Sequence, residues 1–429
     1  MNAAAEPPKL LTELHTHEAP DVYRRFAAVV GEQHWQRRVS QIKADIKANP
    51  FLSEYLLAEN GIAFTLDRAG ELFARYGGFP DTSPQTQALY PALAFAGQVL
   101  SMMVDGTRDQ LRGRVVGALK NPDDMRGFRL ELGVATHFVR RGHKIEWPET
   151  VGSDTFDLLV PSLGRNGLEI ECKSISEVKG RPVHRRDALE FFRLLWHELA
   201  APRKNLATGL AVVVTVPNRP PSRYADRAQL ARQVKRQIQI GQGAMLGDGT
   251  DIRIEDFDVT ATGAQILQHD KRLETRRRII DSVTRTSNRE GIVFGTDAKG
   301  ALVVVLQSIR PDAVLDATYR TLSDAAKNQL TGTRAGMLIA GLDGLDGEQL
   351  LSIAAQDFDP RQPATGLAIA ISKFLSSERR DHVTGIGIFS RSALSPTVDA
   401  VVDSGGTAYY FPRKESPFWR DDLSGLFDA

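Results

Sequence analysis

Three residues near the middle of the chain have the types and spacing for chemistry on a phosphate. They are Asp157, Glu171 and Lys173, within DTFDLLVPSLGRNGLEIECKSIS from Asp154 to Ser176. Leu168, Ile170 and Ile175 mark the second half of this stretch as a partly buried strand, where charge is costly unless it is paired or holds a metal. Side chains alternate along a strand, so Glu171 and Lys173 share one face while Cys172 points to the other as a small core residue. The Gly and Asn of PSLGRNG favour a hairpin turn, and antiparallel pairing across it sets Asp157 close to Glu171. Two hard carboxylates and a neighbouring main-chain carbonyl can hold Mg²⁺ and leave positions for water and phosphate. Such a metal polarises the phosphate and helps generate hydroxide. The Lys173 ammonium would orient the attacking water or stabilise charge building on the phosphorane, worth roughly 2.7 to 4 kcal/mol for a well-placed donor.

The elements that must position these groups follow from periodicity. DDMRGFRLELGVATHFVRRG, from Asp123, reads as a helix closed by Gly142, followed by the strands HKIEW, FDLLV and GLEIECKSI. The helix RRDALEFFRLLWHELA and the strand TGLAVVVTV then complete a consecutive α-β-β-β-α-β unit. Before it, from about Pro20 to Lys120, apolar residues recur at helical spacing. After it come the loop PNRPPSR, the basic helix DRAQLARQVKRQIQI and the segment DKRLETRRRIIDSV. The expected fold is mixed α/β in four parts: a helical region 1–120, a central domain 121–245, a helical connector 246–289 and a C-terminal α/β domain 290–429. GIVFGTDAKGALVVVLQSIR, from Gly291, aligns without a gap on DLLVPSLGRNGLEIECKSIS, from Asp157. That leaves two readings open, a degenerate internal copy and the coincidence of two glycine-turn hairpins. A copy would place Gly291, Val305 and Gln307 where the first has Asp157, Glu171 and Lys173.

The central stretch resembles the PD-(D/E)XK, or restriction-endonuclease-like, nuclease superfamily. Its signature is an acidic residue on one strand and Glu-x-Lys on the next, here Asp157 in FDLLV and Glu171 and Lys173 in IECK. Phe156 stands where the signature has proline, the letter chemistry needs least. The resemblance covers about Asp123 to Val216. It implies a catalytic set of Asp157, Glu171, Lys173 and, from the preceding helix, Glu131. It also implies Mg²⁺, with Mn²⁺ able to substitute, held by Asp157, Glu171 and the main-chain carbonyl of Cys172. The expected activity is metal-dependent hydrolysis of DNA phosphodiesters by an endonuclease, in bacterial defence or restriction, acting as a homo-oligomer, a dimer. A catalytically silent or partner-regulated nucleic-acid-binding protein with the same fold is the alternative expectation.

Charge and composition bound these readings without choosing among them. The 54 basic and 53 acidic residues leave a net charge of +1, so a nucleic-acid surface must be a local basic face. His184, Arg185 and Arg186 after the motif strand are candidates for phosphate contact, and RQVKRQ with KRLETRRR offers a backbone-tracking surface. The single cysteine, Cys172, excludes an intramolecular disulfide framework and a zinc site built on several thiolates, as expected of a cytoplasmic protein. The N-terminal sequence lacks a secretory pattern, and no apolar run approaches the ~20 residues that span a bilayer. ELHTHE, from Glu13, reads as a mobile terminus, and GLDGLDGE, near Leu342, as a turn before a helix.

Overall fold

The helix that carries Glu131 runs from Pro122 to Arg140 because both ends are specified locally. The Asn121 side chain accepts from the Asp123 N–H, Pro122 fills the first turn, and Asp123 and Asp124 face the positive end of the dipole. Gly142, at φ 85°, ends it. The hairpin that follows is built as its turn residues require, with Gly164 and Gly167 at φ 67° and 94°. These elements belong to a computed structural model describing residues 13–79, 84–103, 107–176, 178–196, 199, 206–261, 272–284, 286, 288–296, 299–390, 395–396, 401–403 and 406–427.

The fold is mixed α/β, with two five-stranded sheets among the described residues. The strands in chain order are β1 Glu13–His15, β2 Leu158–Val160, β3 Leu168–Ile175, β4 Gly209–Val216, β5 Ala244–Met245, β6 Asp251–Phe257 and β7 Arg289–Gly295. Next come β8 Ala301–Ser308, β9 Ala335–Leu342, β10 Val383–Phe389, β11 Ser395–Pro396, β12 Val401–Asp403 and β13 Ala408–Pro412. The chain divides into two units, each discontinuous in sequence. Unit 1 is Met1–Ile42, Leu57–Glu177 and Leu315–Ala429; unit 2 is Lys43–Leu56 and Val178–Val314.

The unit 1 sheet has the order β13-β10-β9-β3-β2, with β3, β9 and β10 parallel and an antiparallel strand at each edge. Ile170, Cys172, Met337 and Ile339 point into a core shared with Phe128 and Leu132 of the Glu131 helix and with Phe26, Trp35 and Phe95 of the N-terminal helices. Leu338, Ala340, Ile386 and Ile388 point the other way, against Leu322, Leu350, Ile371 and Phe374. Two contacts seat the Glu131 helix over β3 and β9. Arg126 reaches Asp343, just past β9, at 3.0 Å, and Leu130 lies so close to Gly341 that a Cβ there would meet its Cδ2 at 3.1 Å. The unit 2 sheet has the order β5-β6-β4-β8-β7. Helices Arg185–Leu195 and Tyr224–Ile240 cover the face that carries Val212, Val214, Val304 and Leu306. Helix Arg272–Val283 covers the face that carries Ala211, Val213, Val303 and Val305.

The four-part linear division does not describe this molecule. Most of region 1–120 is not separate from the central strands, because its helices bury their apolar faces in the same core as β3. The consecutive α-β-β-β-α-β unit is broken as well. β4 pairs with β6 and β8 rather than with β3, and the parallel neighbour of β3 is β9, more than 160 residues onward. HKIEW makes only the isolated bridge Glu146 to Leu159. The connector 246–289 is not all helical, since β6 lies inside it.

The aligned hairpins do share a geometry. Gly291 pairs with Val305 across β7 and β8, and the β2–β3 register, Leu158 with Ile170, places Asp157 opposite Glu171 when extended by one residue. Each hairpin also has a parallel strand beside its second member, β9 beside β3 and β4 beside β8. The exchange is in connectivity: each hairpin pairs with the strand that follows the other. ELHTHE does not read as loose chain throughout, because β1 pairs antiparallel with β12. Asp346 of GLDGLDGE caps the helix Gly347–Phe358 in a capping box with Gln349.

Candidate active site

The site forms where β2 begins and β3 passes beneath the Glu131 helix. Asp157 lies one residue before β2, and there a side-chain oxygen rather than a ladder carbonyl meets the N–H of β3. Its Oδ2 accepts from the Cys172 N–H at 2.7 Å, and its own N–H donates to Glu171 Oε2 at 3.3 Å. Lys173, two residues on and on the same face, donates to Glu171 Oε1. Cys172 faces the core with Ile170, as alternation requires. Glu131 is held from above by Arg114, whose guanidinium lies 2.5 Å from Glu131 Oε2 and 5.1 Å from the Phe128 ring centroid.

A cleft of about 450 Å³ opens here, lined in part by Arg114, Glu131, Glu149, Asp157, Cys172 and Lys173. Glu171 is not in its wall. It is fully buried, and both its oxygens are engaged, by Lys173 and by the Asp157 N–H. Thus Asp157, Glu131, Lys173 and Cys172 line the cleft, whereas Glu171 stands behind Lys173. His184, Arg185 and Arg186 lie in unit 2 and do not line this cleft.

The electrostatics are those of crowded, buried acid. Glu131, Asp157 and Glu171 are 6%, 4% and 0% exposed, and among the described residues Arg114 pairs with Glu131 and Lys173 with Glu171. Burial raises the pKa of Glu131 to about 7 against the pull of Arg114, with Glu149 and Glu171 adding to the rise. Burial, then the charges of Glu131 and Glu171, push Asp157 well above the carboxylate range, against the Cys172 N–H. Glu171 is raised by burial in spite of Lys173. Burial works against the Lys173 ammonium, but Glu171 and Asp157 more than offset it and its pKa is raised.

Among the described residues, no group of three or more His, Cys, Asp or Glu side chains is drawn together as a ready cage for a metal. The donor set nevertheless suits a hard divalent cation. It offers carboxylate and carbonyl oxygens, and its three buried acidic groups outnumber the two basic side chains paired with them. Asp157, Glu171 and the Cys172 carbonyl are the groups that would hold such an ion, with Glu131 next to them.

Three acidic or basic residues escape a sequence reading. Arg114 sits in an unremarkable helix, Arg108–Ala118, and meets Glu131 only through helix packing. Glu149, in the short turn Pro148–Val151, lines the cleft beside Asp157 and adds to the rise of its pKa. Glu169, on the same face of β3 as Glu171, is fully buried, but it serves structure. Arg334 Nε lies 3.0 Å from its Oε1, and the Thr331 N–H donates to Oε2 at 2.8 Å, fixing the turn before β9. Comparison with known protein families, characterised proteins and solved structures finds no significant match to this chain.

Proposed function

We propose that unit 1 is a metal-dependent nuclease that hydrolyses phosphodiester bonds in DNA. The observation that carries this reading is the convergence of Asp157, Lys173 and Glu131 on one cleft, with Glu171 directly behind Lys173. Asp157, Glu171 and the Cys172 carbonyl are the groups to hold Mg²⁺, which when bound supplies a Lewis acid for the phosphate and an acidified water. Lys173, held by Glu171, presents one ammonium at the cleft wall, where it opposes charge that develops on the phosphoryl oxygens. Glu131 has a pKa of about 7 and one oxygen held by Arg114, so at neutral pH it is matched to take a proton from an attacking water. Cys172 contributes through its backbone, and its buried side chain keeps β3 seated on the core.

The test is cleavage of plasmid DNA by the full chain with Mg²⁺, with excess chelator, and by Asp157→Asn with Mg²⁺. Cutting is expected only in the first. Equal cutting in chelator, or full activity of the folded Asp157→Asn variant, would remove the two-carboxylate mechanism. Single-stranded RNA run alongside settles which nucleic acid is the better substrate.

A further inference from the structure

The two units divide the charge of the chain unequally. Unit 2 carries 25 Lys and Arg against 17 Asp and Glu, a net +8, and unit 1 carries 29 against 36, a net −7. The near-neutral total hides this separation. A polyanion is therefore repelled on average by the unit that holds the cleft, and attraction must come from the other.

Within unit 2 the positive charge is concentrated on one face of the sheet. Helix Arg185–Leu195, helix Tyr224–Ile240 and the loop 217–223 before the latter hold nine basic residues and three acidic ones, an excess of six. Both helices pack on the same sheet face and against each other. Two of the three acids are already balanced inside the pair, because Arg227, half-buried, lies 3.1 Å from Asp187 and 2.7 Å from Glu190. The outward cations are left over. Arg193, Arg219, Arg223, Arg232 and Arg236 are exposed, and none has an acidic partner within ion-pair distance among the described residues. Arg232 and Arg236, four apart, lie on one helix face as a like-charge pair, an arrangement that disfavours an isolated helix. Arg223 to Arg236 spans roughly 20 Å along the helix, a length over which duplex DNA presents about a dozen phosphates.

The RQVKRQ and KRLETRRR segments do not form one surface. They lie on opposite faces of the unit 2 sheet, and the second face is nearer balance. There Arg276 and Arg289 are paired with Glu54 and Asp281, and Arg253 with Glu255.

We infer that the face formed by helices Arg185–Leu195 and Tyr224–Ile240 is the surface on which unit 2 docks the sugar-phosphate backbone of a nucleic acid, through Arg193, Arg219, Arg223, Arg232 and Arg236. It supplies affinity without reading sequence, since contacts to phosphate oxygens fix register and orientation but carry no base identity. This rests on the nuclease reading of unit 1 only for the choice of polyanion.

The experiment measures binding of the full chain to a 30-base-pair mixed-sequence DNA duplex across a salt series, in chelator so that nothing is cut. Arg232→Glu with Arg236→Glu should weaken binding at least about tenfold at moderate salt and flatten the plot of log affinity against log salt by about 1.8, two phosphate contacts at ~0.9 each. Arg277→Glu with Arg278→Glu alters net charge equally on the opposite face and should change neither quantity by more than about twofold. Melting curves check that both variants are folded, and Arg232→Gln with Arg236→Gln gives a milder form of the first. Equal weakening by both reversed pairs would mean that net charge alone attracts the duplex, and the surface would be wrong. Unchanged binding in the Arg232 and Arg236 variants would also overturn it. The parent's cleavage assay separates the two claims. A chain that cuts DNA but ignores these arginines keeps the nuclease and loses the surface, whereas one that binds through them and never cuts keeps the surface and loses the nuclease.

Discussion

Replacing Glu131 by glutamine should stabilise the protein at alkaline pH and leave it unchanged in acid. The side chain is 6% exposed, and its carboxyl is raised from 4.5 to about 7, first by burial and then by Glu149 and Glu171, with Arg114 pulling the other way. Its folded pKa lies above its unfolded value, so the ionised form costs the fold free energy. That cost is absent below about pH 4.5, grows as pH rises through the interval, and is complete above 7. At about 1.4 kcal/mol per pKa unit the full cost is about 3 kcal/mol. Glutamine keeps the shape and resembles the protonated acid, so Glu131→Gln should exceed the parent by up to about 3 kcal/mol at pH 8 and match it near pH 4.5. Urea unfolding of both proteins at the two pH values, without divalent metal, reads the difference directly. A variant less stable than the parent at pH 8 would mean that the Arg114 pair outweighs burial and that the cluster is not an excess of buried negative charge.

The same excess predicts a response to metal: Mg²⁺ at about 100 times its dissociation constant should stabilise the parent by about 2.7 kcal/mol, and Asp157→Asn should abolish the gain. Lys173→Ala should lose cleavage by several orders of magnitude yet bind DNA nearly as the parent does, which nuclease and binding assays on one preparation can compare. Cys172→Ser should keep activity at a modest stability cost, and Cys172→Asp should unfold the protein by forcing an unpaired carboxylate into the core with Ile170. Glu169→Ala should destabilise by about 3–5 kcal/mol, because it strands Arg334 and the Thr331 turn, while the remaining folded protein cuts normally. His137 is buried against the Leu426 carbonyl, and burial lowers its pKa to about 4. Its contribution is therefore whole above pH 6.5 and lost as pH falls towards 4, and His137→Gln should flatten that part of the acid melting profile.

What was legible in the sequence was local. The Glu131 helix announces itself through its apolar spacing and its closing Gly142, the hairpin through its glycines, and the faces of β3 through strict alternation. GLDGLDGE likewise reads as a turn before a helix, and in the structure Asp346 caps that helix with Gln349. What was not legible depends on partners chosen at a distance. β4 is apolar almost throughout, GLAVVVTV, and buried on both faces, so nothing in it says which hairpin it joins. The nearest hairpin in sequence is the natural assumption, and the fold instead gives β4 to β8 and β9 to β3. Arg114 and Arg126 are ordinary surface-type residues by sequence, and only helix packing turns them inward, onto Glu131 and Asp343. The opposition of the two arginine-rich helices follows from which sheet face each one covers, a matter settled by burial and invisible in a charge count.

The most direct measurement of the central claim is a crystal of the protein soaked in Mn²⁺, with anomalous difference density computed at the manganese edge. A peak is expected within about 2.0–2.6 Å of Asp157, Glu171 and the Cys172 carbonyl oxygen, with the Lys173 ammonium moved off Glu171 Oε1, and no such peak in Asp157→Asn. A well-ordered site without a peak at millimolar Mn²⁺, or a peak that survives the loss of Asp157, would contradict it.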